Sequence, residues 1–256
     1  VLVAGAEPRA ILFCRDKDAE REIWDGFRFG TEAACAEFGF DACFTLDRLD
    51  EEIIQLLENQ PALHYVIGLD TVWDNRVMAW LNGVRAKART GVTAPGRLID
   101  ARVLLDEMRL VKDAGEIDCM RRAAAISIAA HRRAWRATRP GMHEYEIEAE
   151  LLYTFRALGA EAPSYPAIVA GGANACILHY VGNDQPLRDG DLLLIDAGAE
   201  YRGYAGDITR TYPVNGRYGG AQRAVYDVVL AAHAAAMAEV RPGRPWHAPH
   251  DAAVRV

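Results

Sequence analysis

Two aspartates, Asp196 and Asp207, stand inside runs rich in strand-forming residues, "DLLLIDAGAE" (191–200) and "GYAGDITRTYPV" (203–214). A carboxylate within an apolar strand costs free energy unless something compensates its charge. "EYRGY" between the runs supplies a glycine for a tight turn, so the stretch reads as an antiparallel hairpin turning near Arg202 and Gly203. That geometry puts Asp196 nearly opposite Asp207, where partners on one face lie about 4.5–5.5 Å apart at Cβ. Alternation adds Thr209 and Thr211 to the face of Asp207 and sends Ile208 to the other. Two like charges at that range repel unless one is protonated or a cation lies between them. Carboxylates suit hard or borderline cations such as Mn²⁺, Mg²⁺ or Ca²⁺. A pair of such ions about 3.5–4 Å apart prepares water for hydrolysis. Two plainer readings stay open: the aspartates flank a turn, or they pair with Arg202 and Arg210. A carboxylate dyad sharing one proton is a further option, although neither residue stands in a loop motif of that kind.

His179 lies in "CILHYV" (176–181), which reads as another strand. A lone histidine in a strand is more often a satisfied core residue than a catalyst. The functional readings are a metal ligand or a donor to an oxyanion. His143 reads as the surface start of a helix. His247 and His250 lie near the last residue, no HExxH occurs, and Ser164 lacks a GxSxG setting.

The elements that must position these groups follow from periodicity. Residues 1–110 alternate strands, "AILFC" (10–14) and "YVIGL" (65–69), with helices, "TEAACAEFGF" (31–40) and "LDEEIIQLLENQ" (49–60). That alternation predicts an α/β layer. "TGVTAPGRLID" (90–100) is a loop or extended piece. Beyond a boundary near residue 110, helices are expected over about 114–138, 143–158 with Gly159 at its end, and 219–239. A strand-like run at 167–172 precedes the hairpin. "HRRAWRATRPG" (131–141) and "HAAAMAEVRPG" (233–243) align without gaps, as two related halves would, or as two alanine-rich helices stopped by Pro-Gly do by chance.

The 256 residues suffice for one large domain or two ordinary ones. A formal net charge of −7 argues against nucleic acid or an anionic membrane surface as a partner. No apolar run reaches membrane-spanning length. Five cysteines without a CxxC read as reduced thiols of a cytoplasmic protein. The chain starts without Met in a strand-like run and closes in a helix-like one, so we expect a fragment cut at both ends.

At this point the residues resemble a known family. "PSYPAIVAGGANACILHYVGNDQPLRDGDLLLIDAGAEYRGYAGDITRTYPVNG" (163–216) is similar to the catalytic domain of the Xaa-Pro aminopeptidases, or aminopeptidases P. These are pita-bread metallopeptidases, a set that also holds prolidase, methionine aminopeptidase and creatinase. "VTAPGRLIDARVLLDEMRLVKDAGEIDCMRRAAAIS" (92–127) resembles the family's linker and first catalytic helix, and "EREIWDGFRFG" (20–30) part of its N-terminal domain. The resemblance implies an N-terminal α/β domain of the creatinase/prolidase type over 1–110, incomplete at its start. It implies that 111–256 is the first half of an α+β pita-bread domain whose second half is missing.

By the same resemblance Asp196 chelates one ion, Asp207 bridges two, and His179 assists at the scissile carbonyl. Tyr165 lines the substrate pocket, and Trp24 and Arg89 shape the active-site mouth in an oligomer. One His and two Glu would complete the site from beyond residue 256. The implied activity is hydrolysis of the N-terminal Xaa-Pro bond of peptides, with two divalent ions, expected to be Mn²⁺, in a homodimer or homotetramer. The alternatives are a prolidase, restricted to dipeptides, or a non-catalytic pita-bread module that binds peptides. Creatinase-like chemistry would have no need of metal ligands.

Overall fold

Strand and helix alternate through the first part of the chain, as an α/β layer requires. The computed structural model describes residues 1–5 and 7–256, which divide into two compact units, Val1–Val111 and Lys112–Val256. The first unit runs β1 (Leu2–Val3), β2 (Arg9–Cys14), α1 (Ala19–Asp25), α2 (Gly30–Phe38) and β3 (Ala42–Thr45). It continues with α3 (Leu49–Leu56), β4 (Ala62–Tyr65), α4 (Thr71–Ala86), β5 (Arg97–Asp100) and α5 (Arg102–Leu110). Strand β2 pairs parallel with β3 and antiparallel with β1, while β4 pairs parallel with β5.

The strand expected at 65–69 is displaced: β4 ends at Tyr65, and the chain then turns at Gly68 (φ 78°) into the cap of α4. There the Asp70 carboxylate accepts the N–H groups of Val72 and Trp73 at 2.8 and 3.2 Å. Pairing with β5, invisible in a short apolar run, decides which residues extend. Helix α3 also stops at Leu56, short of the expected 60. Its Leu49 and Ile53, with Leu57 beyond it, pack on Val77, Trp80, Leu81 and Val84 of α4.

In the second unit, α6 (Ala114–Ala137) begins with a reciprocal cap. The Glu116 N–H donates to the Asp113 carboxylate at 2.8 Å, and the Asp113 N–H to Glu116 at 2.7 Å. After α7 (Glu144–Ala157) come β6 (Ala162–Pro163), β7 (Ile168–Gly171), β8 (Leu192–Ala197), β9 (Ala199–Tyr201), β10 (Tyr204–Ala205) and β11 (Ile208–Pro213). Helices α8 (Gly220–Glu239) and α9 (Ala248–Val254) follow. β8 is the centre of an antiparallel sheet ordered β11-β8-β7, and β9 lies between β10 and β6. Burial alternates along β8: Leu193, Ile195 and Ala197 are fully buried and Leu192, Leu194 and Asp196 only partly. The buried set packs on Ile126, Ala130 and Ala134 of α6 and Ile147, Leu151 and Phe155 of α7. Two helices thus cover one face of the sheet, and Asp196 belongs to the other. Among the described residues no helix is long and apolar enough to cross a membrane.

Candidate metal centre

The hairpin turns where the sequence places it. Tyr201 pairs with Tyr204, and Arg202 and Gly203 between them have φ values of 50° and 80°. Two central residues with positive φ make the two-residue turn whose twist suits a hairpin. The same register holds on both sides of a break at Gly198 and Gly206–Asp207, so that Asp196 lies opposite Thr209 and Asp207, expected within a strand, stands just before β11. Asp207 is therefore two residues from the position facing Asp196, on the same face but diagonal to it, not opposite as expected. Diagonal neighbours lie about 7–8 Å apart along the backbone, still within reach of side chains that converge.

They converge on Tyr165. Its hydroxyl lies 2.5 Å from Asp196 Oδ1 and 2.9 Å from Asp207 Oδ1. One phenolic proton serves only one of these acceptors at a time. Burial first, and then the two carboxylates, push the Tyr165 phenol well above its usual range, so it remains a donor at neutral pH. Neither arginine neutralises the pair: Arg210 donates to the Thr209 carbonyl at 2.7 Å, and the Arg202 guanidinium lies over the Tyr201 ring. Among the described residues no ion pair involves Asp196 or Asp207.

Close backbone approach explains the glycines here. A Cβ at Gly198 would lie 1.4 Å from the Gly206 carbonyl oxygen, and one at Gly206 would lie 2.5 Å from Ser127 Oγ. Helix α6 locks the hairpin from behind. Ser127 Oγ accepts the Ala199 N–H at 2.9 Å and donates to the Ala123 carbonyl, also at 2.9 Å. His131 Nε2 lies 3.0 Å from the Ala197 carbonyl, and burial lowers the pKa of this histidine. Sequence reasoning missed Ser127 and His131, which look like ordinary polar interruptions of an alanine-rich helix.

His179 is not in a strand. After β7 the chain enters a 3₁₀ turn, Gly172–Cys176, and His179 follows on an exposed bend. Among the described residues no hydrogen bond or ion pair joins it to Tyr165, Asp196 or Asp207. Trp24, on α1, is 80% exposed, and Arg89 lies in an exposed 3₁₀ turn, Ala88–Thr90; both belong to the first unit. His247 and His250 are at the start of α9.

The donor set suits a hard divalent cation: two carboxylates aimed at one point, each with a second oxygen in hand. It is a partial set, because among the described residues no third His, Cys, Asp or Glu joins the pair.

A model of metallopeptidase family M24 matches residues 118–256, more than half of the chain, and the chain belongs to that family. A model of the aminopeptidase P N-terminal domain matches residues 1–65. The Xaa-Pro aminopeptidase of Escherichia coli K12 is 44% identical over 234 residues, which are 91% of this chain and 53% of that protein. Among solved structures, the Pseudomonas aeruginosa aminopeptidase PepP superposes with a TM-score of 0.94 at 46% identity, over 95% of this chain and 55% of that one. A zinc-substituted E. coli aminopeptidase P in complex with product gives a TM-score of 0.94 at 41% identity, over 97% and 57%. The chain spans about half the length of the curated relatives it matches. The architecture is accordingly an aminopeptidase P-type N-terminal domain followed by part of a pita-bread domain.

Proposed function

We propose that the protein carrying this chain is a dinuclear-metal aminopeptidase that hydrolyses the N-terminal Xaa-Pro bond of peptides. The observation that carries this reading is the convergence of Asp196 and Asp207 on one hydroxyl, on the sheet face that the helices leave free. In this reading residues 1–110 form the N-terminal domain and 111–256 the first part of the catalytic domain, a division the two compact units support. Asp196 and Asp207 hold two divalent ions, Mn²⁺ in this proposal, together with one His and two Glu from sequence outside these residues. When bound, such a pair supplies Lewis acidity and lowers the pKa of water at the site toward neutrality.

The remaining steps belong to the chain's own groups. The Tyr165 hydroxyl, which meets both carboxylates, donates to one of them at a time. His179 donates to the oxygen on which charge develops as the carbonyl is attacked. The scissile bond precedes proline and has no N–H, so substrate recognition cannot use a donor there. Trp24 and Arg89 line the mouth of the site in a homo-oligomer, a dimer or tetramer, of cytoplasmic location.

The test compares the full-length protein with its Asp207→Asn variant. Metal content and turnover of a Xaa-Pro-Xaa tripeptide are measured as Mn²⁺ is added. We expect the variant to lose bound metal and at least about 100-fold in kcat, the order of effect when a group that stabilises developing charge is removed. Unchanged metal content and turnover would falsify the assignment. Cleavage of Xaa-Pro dipeptides alone would make the protein a prolidase, and stoichiometric metal-independent peptide binding without turnover a silent module.

A further inference from the structure

Glu144 opens α7 with its side chain wholly buried, a placement a carboxylate takes only with partners. All its partners come from one segment. Oε1 accepts the Gly171 N–H at 2.7 Å and the Asn174 side-chain amide at 3.0 Å. Oε2 accepts the Tyr180 hydroxyl at 2.7 Å and the Gln185 N–H at 3.0 Å. The Glu144 N–H in turn donates to the Gln185 carbonyl at 3.0 Å. A second clamp adjoins the first. Asn183, 2% exposed, accepts the Val169 N–H at 3.0 Å and donates to the Ala167 carbonyl at 2.8 Å.

Between the clamped ends, Cys176 to His179 are exposed, and the His179 imidazole has no hydrogen bond of its own among the described residues. Its location is set through the backbone, one residue before the Tyr180 hydroxyl that Glu144 holds. A carboxylate, which only accepts, satisfies four donors at once. An amide of the same shape would turn its nitrogen toward two of them whichever way it faced.

We propose that Glu144 is a positioning residue for His179: its buried carboxylate fastens both ends of the 171–185 segment and so fixes where the imidazole meets the substrate carbonyl. This rests on the aminopeptidase reading above, in which His179 touches the substrate. A misplacement of about 1 Å at a reacting group can cost on the order of 100-fold in rate.

The test is a double-mutant cycle in the metal-loaded full-length protein: Glu144→Gln, His179→Ala and both together. It reads kcat and KM for a Xaa-Pro-Xaa peptide, metal content, and amide hydrogen exchange over 172–185. Glu144→Gln is expected to lower kcat about 10- to 100-fold, with KM within about threefold and metal content unchanged. Exchange in the loop should quicken while α6 keeps its protection. Once His179 is alanine, removing the Glu144 charge should change kcat by less than about twofold, since the two act as a unit. Losses that multiply independently, an unchanged kcat in the single variant, or unchanged loop exchange overturn the proposal. Should Glu144→Gln not fold, Tyr180→Phe removes one tie to the same carboxylate, with an expected loss of about 3- to 10-fold and the same dependence on His179. A wild-type protein that binds metal but cleaves no Xaa-Pro peptide overturns the underlying reading instead, a result distinct from an active wild type with an indifferent Glu144 variant.

Discussion

Gly198→Ala is the substitution whose effect the structure specifies most closely. The added methyl carbon would stand 1.4 Å from the Gly206 carbonyl oxygen, where ordinary contact begins at 3.4 Å. Relief requires the facing segments to part by about 2 Å, close to half the usual spacing of about 4.8 Å between paired strands. Two backbone bonds are anchored at this point: Gly206 N–H to the Ala199 carbonyl at 2.8 Å, and Ser164 N–H to the Gly198 carbonyl at 2.8 Å. Their loss costs about 1–3 kcal/mol, and forced overpacking adds about 1–3 kcal/mol, so the expected total is about 2–6 kcal/mol. At about 3 °C per kcal/mol for a unit of this size, Tm should fall by about 6–18 °C.

The matched control is Gly220→Ala, at the first residue of α8, where nothing lies within 4 Å of the added carbon and φ is not positive. That variant should melt at or slightly above the wild-type temperature, with a gain of at most about 1 kcal/mol. Far-UV circular dichroism melts and urea titrations of the two variants make the comparison. A Gly198→Ala protein melting within about 2 °C of wild type would show that the hairpin yields where we hold it rigid. The same distortion would respace Asp196 and Asp207, so bound metal should fall together with Tm.

Two further expectations concern the frame behind the site. Ser127→Ala leaves the buried Ala199 N–H without an acceptor, and a urea titration should read a loss of about 1–3 kcal/mol. Tyr212, whose phenol burial pushes up to about 12 from an ordinary 10.0, makes stability fall at high pH. Its folded-state pKa exceeds the unfolded one, so its contribution is complete below about pH 10 and is lost as pH rises toward about 12. Urea midpoints across that window should decline in the wild type and decline less in Tyr212→Phe. Parallel slopes in the two proteins would refute the assignment.

In the candidate site, the shared face of the two acids was legible because they and their turn lie within one short stretch. Period-two alternation around "LLLID" and "DITRT", with a glycine between, sufficed to place Asp196 and Asp207 on one face. Register was legible as well: a two-residue turn at Arg202 and Gly203 sets Asp196 against Thr209, which lies as far beyond the turn as Asp196 lies before it, so the expected pairing with Asp207 was a miscount of two residues. The strand assigned to "CILHYV" failed for a different reason. Its apolar residues satisfy a strand pattern, but the ties from Asn174, Tyr180 and Gln185 to Glu144 bend the segment instead. Those ties join residues 30 to 41 positions apart, and no local pattern reports them. Glu144 itself reads as an ordinary acidic residue in a first helical turn. Tyr165 was placed near the substrate by family likeness alone, and its contact with both carboxylates belongs to the folded chain.

The two-residue turn at Arg202 and Gly203 has an evolutionary corollary. Both residues are exposed, and extra residues inserted between Tyr201 and Tyr204 would lengthen only the loop, leaving the ladder beneath it in step. One residue gained or lost between Asp196 and Tyr201, or between Tyr204 and Asp207, would rotate one acid to the helix-covered side. Natural variants of this scaffold should therefore be generous in length at the tip and strict along its flanks, which makes the tip the place to graft a reporter peptide without disturbing the acids.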